Sequence, residues 1–427
     1  MKNFSVPQND TFWEEDIKKK KMDPVSPVKV RALGLTGESA KFVDTIDQLR
    51  NDPPNIVIAK PIKTFSFIQN WFKRQTLKKK VSYVMGLGVF QQMHKGTRSG
   101  QKTNLLKPGN IKFRNVYKPY IGQSLEDKTL LVFRTGGIGD LLFIQPNLRY
   151  LKEKYPSCTI NFACGPQYQA MVDNWDCVDN VVDLPFPLKW LINADYHALF
   201  EGVIERCKEA HSTNAYNLFT RWMGLNLPDN LLIPQQEPKE EKLMECMKIV
   251  EEWKLLHRPF ILTQIRASSP IRTPRPEFWI DIIDELTDLG FDIVITDNPR
   301  QSDNVDKFID GVKNKDKVFN FAKYSKTLDY TIALAKLSSL TLATDSALNH
   351  IAASLNKPCY GIYGPFPGFI RLKTYPKAKW IDAEKDCAPC FLHGMSACPR
   401  AGKDSFSPCY DNLDIKKIVT EIGEMLK

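Results

Sequence analysis

At 427 residues the chain is too long for one hydrophobic core, so two or three domains are expected. Its 43% hydrophobic and 25% charged residues are those of an ordinary soluble protein. No uninterrupted run of about 18 apolar residues provides a membrane span. The start, MKNFSVPQNDTFWEED, lacks the basic-then-apolar pattern of an export signal, and a cytoplasmic location is expected from it.

The net charge of +10 is unevenly placed. Residues 1–128 carry 24 Lys/Arg against 11 Asp/Glu, and the other 299 carry 35 against 38. No acidic residue falls between Pro53 and Leu125. Residues 1–127 therefore read as a basic N-terminal extension, and residues 53–125 either as a solvated basic arm or as a surface for an anionic partner: a phosphorylated glycan, an anionic membrane face or nucleic acid.

At Lys128 the texture changes. KTLLVFR predicts a buried strand, a glycine turn follows, and DLLFIQPNLRYLKEKYP predicts a helix. CTINFAC, QYQAMVDNW and VDNVVDL continue as strand, helix and strand. PQQEPKEEK, 234–242, reads as a linker. The alternation then restarts with PFILTQI, RPEFWIDIIDELTDLG and FDIVITD, and runs on through TLDYTIALAKLS, LTLATD, SALNHIAASLN and PCYGIYG. Strand–helix alternation of this kind predicts parallel, doubly wound sheets. The expected domains are 128–240 and 241–427, with ligands beyond the carboxyl ends of the strands.

Two stretches carry candidate chemistry. RTGGIGD places Gly136, Gly137, Gly139 and Asp140 between a strand and a helix, with neither a Walker nor a dinucleotide spacing. By spacing alone Asp140 also suits the first turn of a helix. ATDSALNHIAASLNKPCYGIYGP ends a strand at Asp345 and starts a helix at Ser346, offering free N–H groups to a phosphate or a sugar. His350 lies on that helix, either in the site or as a core histidine.

Together, FRTGGIGDLLFIQPNLRYLK and TDSALNHIAASLNKPCYGIYGPF resemble glycosyltransferase family nine, the ADP-heptose–lipopolysaccharide heptosyltransferases. HSTNAYNLFTRWMGL, IRTPRPEFW and the cysteine-bearing tail fall in the family's order. The resemblance covers roughly residues 129–425. It implies an α/β GT-B fold of two facing Rossmann-like domains, and sugar transfer from a nucleotide-diphosphate donor to a surface-glycan or lipopolysaccharide-type acceptor, with the enzyme at most peripheral at the inner membrane face. It further implies that Asp140, on the acceptor side beside Gly136, Gly137 and Gly139, is the general base. Arg272 stands where the family has a Lys seven residues before the helix Trp, and with Arg275 and Arg266 would bind the diphosphate without a metal. Asp345, Ser346, Ala347, His350 and Gly364 would line the donor sugar and nucleotide. Two departures are visible: Asp345-Ser346-Ala347 for the family's D-[ST]-G, and Gly364-Pro365-Phe366 for its GPT.

Cys158, Cys164, Cys177, Cys207, Cys246 and Cys359 read as core thiols. Cys387, Cys390, Cys398 and Cys409 would suit zinc by ligand type. Their spacing matches no common zinc motif, so packing or a redox pair is the stronger expectation and no cofactor is required. Two rival functions remain at this stage: glycosylation of a modified DNA base through the basic extension, and a non-catalytic glycan- or nucleotide-binding protein on the same scaffold.

Overall fold

The computed structural model describes residues 83–84, 118–183, 186–187, 190, 193–200, 203–206, 208–392, 398–401 and 406–427. The basic extension and its expected anionic partners therefore lie outside the described residues almost entirely, and so does Cys207. The chain divides into two compact units, one of residues 1–136 with 147–227 and one of 137–146 with 228–427.

In the first unit four parallel strands run in the order β3-β2-β1-β4: β1 Thr129–Phe133, β2 Thr159–Cys164, β3 Asn180–Asp183 and β4 Tyr196–Leu199. Leu130, Leu131, Val132 and Phe133 are all buried, which is why β1 reads as a continuous apolar run: a parallel strand is covered on both faces. Strand β4 was not evident from the sequence. Its burial pattern has no alternation, and it follows a short segment without periodicity. Helix α1, Ile138–Lys154, follows β1 and contains Pro146, which cannot donate to the carbonyl four residues back. The boundary between the two units falls just after that proline. Helix α2, Ala215–Trp222, is capped by Asn214 accepting from the Tyr216 N–H and buries five of its larger side chains.

In the second unit six parallel strands run in the order β10-β9-β8-β5-β6-β7. They are β5 Phe260–Gln264, β6 Asp292–Ile295, β7 Val318–Asn320, β8 Leu340–Thr344, β9 Cys359–Tyr363 and β10 Ala378–Asp382. Helix α3, Glu240–Glu252, begins inside the stretch read as a linker. Helices α4, Pro276–Asp288, α5, Ser302–Ile309, α6, Leu328–Leu337, and α7, Ala347–Ser354, connect the strands, and α8, Ile415–Met425, closes the chain.

Helix α4 shows how sequence fixes these elements. Pro276 sits in its first turn, where a missing N–H costs nothing, and Gly290 just past its end takes φ +96°, the left-handed value that ends a helix. Trp279, Ile282, Ile283 and Leu286 share one buried stripe. Against the same core lie Ile418, Val419 and Ile422 of α8, so the C-terminal helix is a packing element. Each of these side chains, removed from water, contributes roughly 1.5–3 kcal/mol.

Both sheets reverse direction of strand addition at their first strand. In the second unit β5 lies between β8 and β6, and Gln264 pairs with Ala343 near the strand ends. The loops after β5 and β8 diverge from this point, which is where open parallel sheets bind ligands.

Candidate active site

The loop after β8 begins at Asp345, which is buried at 3% exposure. Ser346 takes an extended backbone and its hydroxyl accepts from the Leu348 N–H at 3.4 Å, capping α7. The serine is thereby committed to the helix start, and Ala347 is the first helical residue. Asn349 donates to the carbonyls of Ala343 and Thr344, tying the helix back to the strand that precedes it.

Three charges meet at this strand end. From the loop after β5, Arg272 Nη1 donates to the Asp345 carbonyl at 2.7 Å and stands 3.4 Å from its Oδ2, while Nη2 donates to Ser268 Oγ at 2.9 Å. From the short helix Phe369–Leu372, Arg371 places Nε 3.6 Å from Asp345 Oδ1. Its guanidinium lies over the Phe366 ring at 5.0 Å, and the side chain is 7% exposed. Two arginines around one aspartate leave the cluster with one net positive charge. Arg272 is the more open of the two, at 16% side-chain exposure.

The other two arginines expected at the diphosphate are differently placed. Arg275 is ion-paired with Asp411 of the tail, Nε to Oδ1 at 3.1 Å, so its charge is already matched. Arg266 is exposed and donates to Gln301. Among the three, Arg272 alone joins Asp345. Arg371 was not singled out from the sequence. It is one basic residue in FIRLKTYPK, and the only local signal was its position just beyond the Gly-Pro exit of β9.

His350 is buried, and its ring nitrogen Nδ1 lies 2.8 Å from the Tyr375 hydroxyl. Burial pushes its pKa down to about 4, against a smaller raising effect of Asp345, so the ring is neutral at neutral pH. Asp140 and Arg272 are also among the charges that act on it. The stretch 137–146 belongs to the same compact unit as His350. Gly139 approaches so closely that a Cβ there would sit 3.0 Å from His350 Cδ2, and the Phe143 ring meets the imidazole edge-on at 4.9 Å.

The glycines of the turn have separate tasks. Gly137 has φ +90°, and a Cβ on it would lie 2.5 Å from Asp140 Oδ2. The turn is thus folded around the Asp140 carboxylate itself, and Asp140 is half-buried in the first turn of α1. Its negative charge there is favoured by the helix dipole. Gly136 abuts the Tyr168 ring, where a Cβ would come within 2.5 Å. Residues 137–146, Asp140 among them, belong to the compact unit that also holds Asp345 and Arg272.

The tail packs on the exit of β9. A Cβ on Gly364 would lie 2.9 Å from Cys409 Cβ and 3.1 Å from the Tyr410 hydroxyl. Tyr410 is buried, its hydroxyl finds no hydrogen-bond partner among the described residues, and burial raises its pKa well above the ordinary value. The cysteines Cys387, Cys398 and Cys409 lie near enough to Cys390 to add to the rise that burial causes in its pKa, which reaches about 11. Among the described residues no group of three or more His, Cys, Asp or Glu is arranged to hold a metal ion. Cys158, Cys164, Cys177, Cys246 and Cys359 are buried free thiols. No helix among the described residues is long and apolar enough to cross a membrane.

Residues 208–397, which include Arg272, Asp345, His350 and Arg371, match the sequence model of glycosyltransferase family 9 (heptosyltransferase). The chain carries a glycosyltransferase family 9 domain. It is a heptosyltransferase-like glycosyltransferase enzyme. Its fold is similar to that of a glycosyl transferase family 9 protein from Veillonella parvula DSM 2008, with a TM-score of 0.55 at 15% identity over 71% of this chain and 98% of that one. It is also similar to the E. coli ADP-heptose lps heptosyltransferase II, with a TM-score of 0.54 at 16% identity over 70% and 98% of the two chains. A third similar structure is the iron-containing dodecameric glycosyltransferase TibC from enterotoxigenic E. coli H10407, with a TM-score of 0.50 at 14% identity over 71% and 78%. These likenesses show an α/β fold of the GT-B class. No curated protein matches the chain in sequence.

Proposed function

We propose that this glycosyltransferase moves a heptose-like sugar or a hexose from a nucleotide-diphosphate donor to a hydroxyl of a surface-glycan or lipopolysaccharide-type acceptor, with inversion and without a metal. The observation that carries this reading is the grouping, in one compact unit, of the Asp140 helix start with the Arg272–Asp345–Arg371 cluster. In the step, Asp140 takes the proton of the acceptor hydroxyl while that oxygen bonds to the anomeric carbon from the face opposite the leaving group. The bond from the anomeric carbon to the diphosphate oxygen breaks, and its electron pair leaves with the nucleoside diphosphate. A positioned base contributes about 10²–10⁴-fold to such a step.

The leaving diphosphate gains negative charge as the bond breaks, and fixed positive charge where that charge develops is a large catalytic term. Arg272 is the residue to which we assign it, since its planar fork suits phosphate oxygens. Asp345 acts on the donor side by orienting Arg272, and Ser346 and Ala347 bring the start of α7 to the same place. One similar structure is an ADP-heptose lps heptosyltransferase and another is a heptosyltransferase in complex with ADP-D-beta-D-heptose, which makes ADP-heptose the donor to test first. Ala347 and Phe366, where the family has glycine and threonine, are the positions from which a different donor preference would arise.

The test is a panel of nucleotide sugars screened for thermal stabilisation, followed by transfer assays on the hit with Asp140→Asn and Arg272→Met. A donor that binds only the folded state raises its melting temperature. Loss of transfer in Asp140→Asn with donor binding retained supports the reading. Full transfer by Asp140→Asn refutes it.

A further inference from the structure

We infer that His350 is a positioning residue that holds the start of helix α1, and with it Asp140, in register. The proposal rests on the reading of Asp140 as the base. Several observations carry it. The imidazole is almost fully buried, so it is a wall and not an open ligand surface. One face of its role is fixed: Nδ1 is held 2.8 Å from the Tyr375 hydroxyl, with the two rings edge to face at 5.9 Å. The opposite side meets α1, because Gly139 lacks a side chain in the one place where a Cβ would come within 3.0 Å of Cδ2 and 3.4 Å of Nε2. Phe143, one turn further along α1, packs on the same ring at 4.9 Å and 83°. Gly139 and Phe143 bracket Asp140 at i−1 and i+3, so a shift of the ring moves the turn that carries the carboxylate.

The charged groups that act on the ring are Asp345, Arg371, Asp140 and Arg272. A protonated imidazole in that place would add a third positive charge to the two arginines that already act on it. A neutral ring packs without disturbing the Arg272–Asp345 pair, consistent with the low pKa that burial gives it. Interiors are close-packed, so a missing ring is not replaced by a small adjustment, and misplacement of a catalytic group by about 1 Å costs on the order of 10²-fold in rate.

The experiment compares His350→Ala, His350→Phe and Gly139→Ala in the full chain by transfer kinetics and by amide hydrogen exchange over residues 138–143. His350→Ala is expected to lower kcat by roughly 10–100-fold, to leave the donor KM within about twofold of wild type, and to speed exchange in that segment. His350→Phe keeps the ring and is expected to restore most of both. A Phe variant no better than Ala, with the donor KM raised, would mean that a ring N–H touches the donor and would overturn the proposal. Unchanged exchange over 138–143 in His350→Ala would do the same. Should His350→Ala fail to fold, Gly139→Ala drives a methyl into the ring from the other side, and normal exchange at 138–143 in that variant is the overturning result. Full transfer by Asp140→Asn would sink the base assignment alone, since the exchange measurement needs no activity.

Discussion

Replacing Asp345 by Asn tests whether this carboxylate is the clamp of the site. Asn has nearly the same volume and keeps an acceptor oxygen, so the change removes chiefly the charge. The main-chain carbonyl of residue 345 is untouched, and Arg272 retains its 2.7 Å bond to it. What goes is attraction to Arg272 at 3.4 Å and to Arg371 at 3.6 Å. Each is about 5 kcal/mol by Coulomb's law at an effective dielectric constant of about 20. Desolvation already offsets most of that in the native state, and removing one partner of a buried pair costs about 3–5 kcal/mol. For a unit of about 200 residues, 3 kcal/mol corresponds to a fall in Tm of roughly 6–12 °C. Differential scanning calorimetry or a urea titration of the wild type and Asp345→Asn measures it. A variant that melts within about 1 °C of wild type would refute the reasoning, since the buried Arg371 and the half-buried Arg272 would then be content without their shared anion.

Three further outcomes follow from the same geometry. In the fold His350 binds a proton only below about pH 4, against 6.5 for the ordinary group. Between these values the unfolded chain binds more protons, so stability falls as pH drops, by on the order of 3 kcal/mol. His350→Phe should lack this component, and parallel wild-type and variant Tm curves from pH 6.5 to 4 would contradict it. Gly137→Ala combines a positive φ with a methyl 2.5 Å from Asp140 Oδ2. It should cost about 1–3 kcal/mol in stability and lower kcat on the order of 10²-fold, read by melting and steady-state kinetics. Tyr410→Phe deletes a buried hydroxyl without a partner among the described residues, and recovering its desolvation, about 1–3 kcal/mol, should leave Tm unchanged or higher; a lower Tm of the free protein would show a bond that the described residues do not supply.

Much of the architecture follows from local pattern. The strands at 129–133, 260–264, 340–344 and 359–363 were legible because strands covered on both faces must be apolar throughout. Helix α4 was legible because its stripe, its first-turn proline and its terminal glycine agree. The edge strands at 318–320 and 378–382 carry weaker signals, since an edge strand buries less and its composition is less constrained.

By itself the sequence determined which residues end a strand or open a helix, and so placed Asp140 in a first turn and Asp345 at a strand end. Only the tertiary structure decided what those residues meet. Arg275 is matched by Asp411, 136 positions away, while Arg371, unremarked in the sequence, lies beside Asp345. His350 proved to be a buried wall against Gly139. Periodicity encodes which face of an element is apolar, because every residue on that face loses the same contact with water. Pairing of charges depends on distances of a few ångströms between elements far apart in the chain, and no local composition carries that information.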